Sequence, residues 1–112
     1  MIAAVVVTHN RLSQLQITVA RLLAEPVDHI FVYDNASEDG TGDWLAGQAG
    51  PRLSFHRSDI NRGGAGGFAH AMAEVVQGLD PDWLLVMDDD GRPAPGAIAA
   101  FRKMDKTGWD AI

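Results

Sequence analysis

The sequence contains no cysteine among its 112 residues. This absence excludes a disulfide scaffold, a thiolate metal site and a cysteine nucleophile. Long apolar runs are also missing, because the first one, residues 2–7, gives way at once to Thr8 and His9. Such a run is too short for a signal peptide or a membrane span. We therefore expect a cytoplasmic protein without a transmembrane segment.

Basic residues are scarce: nine Lys and Arg stand against 15 Asp and Glu, giving a formal net charge of -6. Contacts to nucleic-acid phosphates require clustered Lys and Arg, so a nucleic-acid partner is excluded and a metal or small ligand is favoured. The hydrophobic content of 46% is ordinary for a globular protein. We expect a single domain over residues 1–112, which is short for an α/β enzyme with two binding sites.

Apolar, β-branched runs alternate with segments of helical periodicity. Strands are predicted at residues 2–8, 30–34, 52–57 and 83–87, and helices at residues 12–23, 43–46, 68–79 and 95–106. Continuously apolar strands are typical of parallel sheets covered on both faces. The alternation predicts an α/β fold with a Rossmann-like, doubly wound, mostly parallel sheet. The strand at residues 83–87 is apolar throughout and is expected to be central.

Polar clusters follow the predicted strands at the point where each one ends. They are Thr8 to Asn10, Asp34 with Asn35, Asn61 with Arg62, and Asp88 to Asp90. In doubly wound sheets, ligands bind beyond the carboxyl ends of the strands. We therefore expect the four clusters to converge on one edge of the sheet.

Three consecutive carboxylates end the fourth strand. If the strand continued through them, Asp88 and Asp90 would point to one side and Asp89 to the other. Two carboxylates on one side repel each other, and a hard cation such as Mg²⁺ or Mn²⁺ would remove that repulsion. We favour a metal site at Asp88 and Asp90. The alternative is a solvated loop whose acids cap a helix.

Asp34 follows the second strand, where a carboxylate can accept a hydrogen bond from a ribose hydroxyl or a base N–H. The alternative is an Asx turn made by Asp34 and Asn35. Ser37, Glu38 and Asp39 are assigned to capping.

The segment NRGGAGGF, residues 61–68, opens a helix. Its glycines permit a ligand to approach the backbone, and amides at a helix start can hold phosphate. The spacing is neither GxGxxG nor that of a phosphate-binding loop with its lysine. The alternative is that the glycines only pack the helix against the sheet. The four histidines lack metal-type spacing; we expect His29 and His56 at the surface or a sheet edge and His70 in a structural role.

Together the segments VVVTHNR, VYDNASEDGT, NRGGAGGF and VMDDDGRP resemble the successive blocks of inverting, GT-A-fold glycosyltransferases of family 2. The last two are most similar to galactofuranosyl- and rhamnosyltransferase-type members. The resemblance implies that Thr8, Asn10 and Asp34 contact the nucleoside of a UDP- or dTDP-sugar.

By the same resemblance, the ribose and diphosphate lie along Asn61 and Arg62 with Gly63 and Gly64. Asp88 and Asp90 hold Mn²⁺ or Mg²⁺ as a DxD element, and Asp89 joins the nucleotide contacts. The metal would act on the leaving nucleoside diphosphate, and an acceptor hydroxyl would attack with inversion.

Family members continue into an acceptor-binding half that supplies the catalytic base. The resemblance therefore implies a truncated domain that holds the donor, with no catalytic base within the chain and the base beyond Ile112. Alone, the chain is expected to bind donor weakly and to transfer nothing efficiently. The expected acceptor is a saccharide or glycolipid of cell-envelope polysaccharide synthesis, with the full-length protein peripheral at the inner face of the membrane. His9 departs from the tyrosine common at this position.

The residues by themselves leave two other functions open. DDDGR superficially resembles the nucleophile loop of haloacid-dehalogenase-type phosphatases, but Arg92 stands where that loop has threonine. A non-catalytic nucleotide-binding or interaction module with the same fold is the main alternative. Apolar surface exposed without an acceptor half would favour self-association.

Overall fold

The computed structural model describes residues 1–105, in which four strands alternate with four helices. The strands are β1 (Ile2–Thr8), β2 (His29–Asn35), β3 (Leu53–Ser58) and β4 (Trp83–Asp88); the helices are α1 (Leu12–Leu23), α2 (Thr41–Gln48), α3 (Gly63–Leu79) and α4 (Ala97–Lys103). All strand pairs are parallel, in the order β3-β2-β1-β4. The predicted α/β class is confirmed. The end expected for the last helix, residue 106, lies outside the described residues.

The sheet is covered on both faces, as a doubly wound fold requires. On one face, alternate residues of β1 pack with Leu15 and Leu22 of α1, Leu45 of α2 and Ile98 of α4. On the other face, the intervening residues of β1 pack with Ala71 and Val75 of α3. All seven residues of β1 are buried, which explains why its sequence is continuously apolar.

The strand ends meet at one edge of the sheet, as expected. Thr8 is in register with Asp34. Val7 is in register with Asp88 on the other side of β1. The carboxyl ends of β1, β2 and β4 therefore lie side by side.

The expectation that the fourth strand is central is wrong for residues 1–105, in which β4 is an edge strand. Its side chains are half-buried or exposed, and Val86 is 43% exposed. α4 covers part of one face, where the rings of Trp83 and Phe101 meet edge to face at 5.3 Å. An apolar run shows that both faces of a strand avoid water, but it does not show how many neighbouring strands there are.

α3 lies close against the sheet because Gly67 has no side chain. A Cβ at this position would be 2.9 Å from Cγ1 of Val7 and 3.3 Å from Nδ2 of Asn35. Gly67 therefore serves to pack the helix against the sheet, which is the alternative considered for the glycines of this segment.

Within residues 1–105, every helix is too short or too polar to span a lipid bilayer.

Candidate functional site

The carboxylate triplet begins in β4 and leaves it. β4 ends at Asp88, and a turn follows in which the Gly91 amide donates to the carbonyl oxygen of Asp88 at 3.1 Å. Asp90 therefore lies beyond the strand. Side chains alternate between the two faces of the sheet only as far as Asp88, the last residue of β4. The expectation that alternation places Asp88 and Asp90 on the same face therefore does not apply, and other contacts set the direction of the Asp90 side chain.

Asp89 is buried and held from two sides. Its Oδ2 accepts a hydrogen bond from the Thr8 hydroxyl at 3.0 Å. Its carbonyl oxygen accepts one from the Thr18 hydroxyl of α1 at 2.5 Å. Thr8, Thr18 and Asp89 are 2%, 0% and 6% exposed. Two residues expected to contact a nucleotide, Thr8 and Asp89, thus contact each other.

The environment of Asp89 raises the pKa of its carboxyl group above the ordinary value, and burial is the main cause. The Thr8 hydrogen bond and the charge of Arg11 lower this pKa, although not enough to reverse the shift. The neighbouring charges of Asp90 and Asp88 raise it further. The three carboxylates therefore form one repelling group, which a nearby cation would stabilise.

Asp88 and Asp90 are exposed on either side of Asp89. Asp90 Oδ2 lies 3.5 Å from the guanidinium of Arg11, which supplies one positive charge. No set of three or more acidic or histidine side chains within residues 1–105 could by itself hold a metal ion. Two carboxylates nevertheless fit Mg²⁺ or Mn²⁺, because these ions commonly combine one or two carboxylates with substrate phosphate oxygens and water.

Asp34 makes the turn that was considered for it, and one of its carboxylate oxygens is left without a partner among residues 1–105. Its Oδ1 accepts a hydrogen bond from the Ser37 amide at 3.1 Å, which is the expected Asx-type turn. Its Oδ2 is buried and has no hydrogen-bond partner among residues 1–105. A buried carboxylate oxygen without a donor is costly, so this atom can accept an N–H or O–H from a ligand.

Asn35, for which only a turn is expected from the sequence, joins two elements at this edge of the sheet. Its Oδ1 accepts a hydrogen bond from the Arg62 amide at 2.8 Å, and its Nδ2 donates to the carbonyl oxygen of Gly63 at 3.0 Å. Asn35 is 2% exposed. It ties the end of β2 to the start of α3. The sequence contained one signal for this role, namely an amide side chain at the end of a buried strand.

The glycine segment, residues 61–67, presents backbone at the start of α3. Gly63 has a φ of 73°, which favours glycine, and its amide donates to Asn61 Oδ1 at 2.8 Å. A Cβ on Gly64 would meet nothing within 4 Å. Asn61 and Arg62 are exposed. The amides of Arg62 and Gly63 are thus bound by the side chains of Asn35 and Asn61, and the next amide at the start of α3, that of Gly64, can bind an anion.

The loops after β1 and β2 support each other. Asn10 has a φ of 52°, its amide donates to Ser37 Oγ at 2.8 Å, and its Oδ1 accepts from the Glu38 amide at 2.7 Å. Asp39 accepts from the amides of Leu12 and Thr41 at 3.0 and 3.2 Å. The capping role of Asp39 is confirmed, whereas Ser37 and Glu38 hold Asn10 instead of capping a helix.

The histidines lie around the sheet. His9 Nδ1 is 2.6 Å from the carbonyl oxygen of Asn35 and donates to it. His56 is exposed, stacks on Tyr33 at 5.2 Å and pairs with Glu74 at 2.6 Å. His70 stacks on the same tyrosine at 6.3 Å. The contact between His70 and Tyr33 is a packing contact, which agrees with the structural role expected for His70.

Curated proteins of similar sequence are glycosyltransferases. The chain is 38% identical over 99 residues to galactofuranosyltransferase GlfT1 of Mycolicibacterium smegmatis, covering 87% of this chain and 32% of that protein. It is 35% identical over 110 residues to the undecaprenyl-phosphate mannosyltransferase of Micrococcus luteus, covering 95% of this chain and 44% of that protein. The chain therefore spans less than half the length of these relatives.

Solved structures share the fold. A mannosyltransferase from Pyrobaculum calidifontis, in complex with GDP-Man and Mn²⁺, matches with a TM-score of 0.70 and 21% identity, over 95% of this chain and 33% of that one. TarS residues 1–349 of S. aureus match with a TM-score of 0.74 and 16% identity, over 90% of this chain and 31% of that one. The expected GT-A fold is thereby confirmed. The model of the family described as Glycosyl transferase family 2 matches residues 3–111, and the chain belongs to this family.

Proposed function

We propose that this chain is the donor-binding part of a glycosyltransferase that transfers a sugar from a nucleoside diphosphate sugar to an acceptor hydroxyl. The observation that carries the proposal is the arrangement around buried Asp89. Its two neighbours, Asp88 and Asp90, remain exposed at the same sheet edge as the start of α3. Carboxylates for a cation and amides for an anion are the two groups that a metal-bound diphosphate requires.

In this proposal, Asp88 and Asp90 hold Mn²⁺ or Mg²⁺ against the diphosphate. When bound, the metal supplies Lewis-acid stabilisation of the leaving nucleoside diphosphate. Gly64 offers its backbone amide to the phosphates, and Gly63, whose own amide binds Asn61, lets them approach the backbone. Asn61 with Arg62 lies along the ribose and diphosphate. The mannosyltransferase neighbour, with Mn²⁺ and GDP-Man, supports a divalent cation at this type of site.

The nucleoside is assigned to Asp34 and Asn10, with Thr8 acting through Asp89. The unpartnered Oδ2 of Asp34 favours a base that brings an N–H. Uracil, thymine and guanine carry a ring N–H that cytosine lacks at the equivalent atom. We therefore propose a UDP- or dTDP-sugar as donor, retain GDP as a third candidate because of the mannosyltransferase neighbour, and expect CDP to bind more weakly.

The remaining chemistry is assigned outside residues 1–112. We propose direct attack by an acceptor hydroxyl with inversion, assisted by a base that we expect beyond Ile112. The relatives are named for galactofuranosyl transfer and for an undecaprenyl-phosphate substrate. They support a saccharide or glycolipid acceptor and a role in cell-envelope polysaccharide synthesis. We further propose a cytoplasmic protein that is peripheral at the membrane.

The test is calorimetric titration of UDP, dTDP, GDP and CDP into the protein, with Mn²⁺ and with EDTA. Asp90→Asn is expected to lower metal-dependent affinity by at least about tenfold, because it removes a ligand charge. Asp80→Asn is the matched control, since Asp80 is exposed at the C-terminal cap of α3. If the folded protein binds no nucleotide under any condition, the non-catalytic module becomes the better proposal.

Self-association is a second proposal. An apolar groove of about 790 Å³ follows β4 on the edge that carries no further strand within residues 1–105, and it is lined in part by Val76, Leu84 and Val86. A strand edge with unpaired backbone groups beside apolar side chains can pair with the same edge of a second copy. Sedimentation of this chain alone is expected to show a concentration-dependent dimer that Val86→Lys abolishes. A monomer at all concentrations would contradict the proposal.

A further inference from the structure

One face of α1, extended by its flanking residues, contacts the carboxylate segment, defined as residues 88–96. Five side chains at alternating spacings of three and four residues form what we call the α1 stripe: Arg11, Gln14, Thr18, Arg21 and Glu25. Residues at this spacing share one face of a helix. The same spacing would fit a solvated helix face, but each member of the stripe touches the carboxylate segment.

The contacts follow the segment from the carboxylates to α4. Arg11 pairs with Asp90 at 3.5 Å, Gln14 Oε1 accepts from Arg92, and Thr18 donates to the Asp89 carbonyl oxygen at 2.5 Å. Arg21 donates to the carbonyl oxygen of Pro93 at 3.5 Å, and Glu25 accepts from the Gly96 amide at 2.9 Å. The segment is therefore anchored along its length by one helix.

Thr18 differs from the other members because it is completely buried. Its hydroxyl binds the carbonyl group of the peptide that joins Asp89 to Asp90. The orientation of this peptide fixes where the Asp90 side chain leaves the backbone. Thr8 holds the Asp89 side chain at the same time. The peptide thus has little freedom to rotate while both threonines are bonded.

We propose that the α1 stripe positions the carboxylate segment for its cation, with Thr18 as the main positioning residue. The inference rests on the proposed function, since it concerns the same metal site. The exposed pair of Arg11 and Asp90 is screened by water and contributes little. The buried hydroxyl of Thr18 carries most of the effect, because without it the buried Asp89 carbonyl oxygen would have no donor.

The experiment compares Thr18→Val, Thr18→Ser and Thr41→Val. Valine keeps the shape of threonine but removes the hydroxyl, whereas serine keeps the hydroxyl. Thr41 is the matched control, because it is also fully buried and donates to a carboxylate, that of Asp39, at 2.5 Å. A merely structural role for Thr18 would make the two valine variants behave alike.

Two measurements are made on each variant. Amide hydrogen exchange at Gly91 and Gly96 reports the order of the segment without any metal. We expect Thr18→Val to speed this exchange by about fivefold, the equivalent of one net hydrogen bond, while the other two variants leave it unchanged. Titration of Mn²⁺ in the presence of UDP is expected to show about a tenfold loss of affinity in Thr18→Val alone.

The outcomes separate this inference from the proposed function. Unchanged exchange in Thr18→Val overturns the inference, as does faster exchange with unchanged Mn²⁺ affinity. Equal losses of affinity in Thr18→Val and Thr41→Val also overturn it. If the unaltered protein binds neither Mn²⁺ nor UDP, the proposed function and the role in metal binding both fail, and faster exchange would then support only the ordering of the segment by Thr18.

Discussion

The carboxylate segment and the glycine segment lie at the same edge of the sheet, but they are held in different ways. The carboxylate segment is fixed by side chains that reach it from β1 and α1. The glycine segment is fixed by one amide side chain, Asn35, and by close packing where Gly67 has no side chain. Charged groups need outside contacts to set their direction, whereas backbone amides are directed by the helix that they begin.

This difference predicts which substitutions should affect each segment most. The glycine segment should respond to added atoms and to the loss of Asn35. The carboxylate segment should respond to changes in charge and hydrogen bonding.

Gly67→Ala should have the largest effect on stability. The added Cβ would lie 2.9 Å from Val7 Cγ1, and β1 is buried on both faces and cannot move aside. We expect the free energy of unfolding to fall by about 2 kcal/mol in urea denaturation. Gly64→Ala is the control, since a Cβ there meets nothing within 4 Å. Equal stability of the two variants would show that α3 does not need the close approach.

Asn35→Ala should rank second. It removes two hydrogen bonds and leaves the carbonyl oxygen of Gly63 and the amide of Arg62 without their partner. We expect a loss of about 1–2 kcal/mol in the same denaturation measurement. Asn35→Asp keeps the acceptor for Arg62 but places a buried carboxylate oxygen against the carbonyl oxygen of Gly63, so it should lose at least as much stability. A smaller loss in the aspartate variant would argue against the assigned bonds.

Asp89→Asn tests the carboxylate segment through pH. The pKa of Asp89 is raised in the folded protein, mainly by burial, so the native state binds its proton more tightly than the unfolded state does. The resulting stabilisation is fully present below the unfolded pKa, about 3.9, and is lost as the pH rises through the folded pKa.

The measurement is thermal unfolding of the unaltered protein and Asp89→Asn, with EDTA, across this pH range. The pKa values of Asp28 and Asp39 are lowered by hydrogen bonds and have the opposite effect on stability, so the comparison uses the difference between the two proteins. Asp89→Asn should gain stability relative to the unaltered protein as the pH rises. A difference that does not vary with pH would contradict the raised pKa.

Arg11→Gln should have the smallest effect. Both partners of the pair between Arg11 and Asp90 are more than half exposed, at 58% and 55%. We expect a change of less than about 1 kcal/mol in unfolding free energy, diminishing further in high salt. If Arg11→Gln lost more unfolding free energy than Asn35→Ala, the exposed ion pair would contribute more to stability than the buried bonds of Asn35, which would contradict this expectation.

The sequence was sufficient to predict the sheet class, the elements and their common edge. Each of these depends on patterns that one segment shows by itself, such as the apolar run of β1 or the helical spacing of Leu15 and Leu22. The edge follows from parallel pairing, because the carboxyl ends of parallel strands lie on the same side.

What could not be predicted depends on pairs of distant segments. The apolar composition of β4 did not show its position at the edge. The direction of Asp90 depends on a turn and on Thr18, which is 71 residues away from Asp89 in the sequence. Asn35 is expected to form only a turn because its partners, Arg62 and Gly63, are 27 and 28 residues further along. Local patterns contain no information about such partners.

The bonds around Asp89 have a consequence for the order of folding. They join residues that are 71 and 81 positions apart in the sequence, and the paired residues of β1 and β4 are also 81 positions apart. Contacts between distant residues must overcome the entropy of closing a long loop, so they form late. During synthesis, β1, α1 and β2 are complete well before β4 leaves the ribosome. The carboxylates should therefore acquire their final orientation only after β4 has paired with β1.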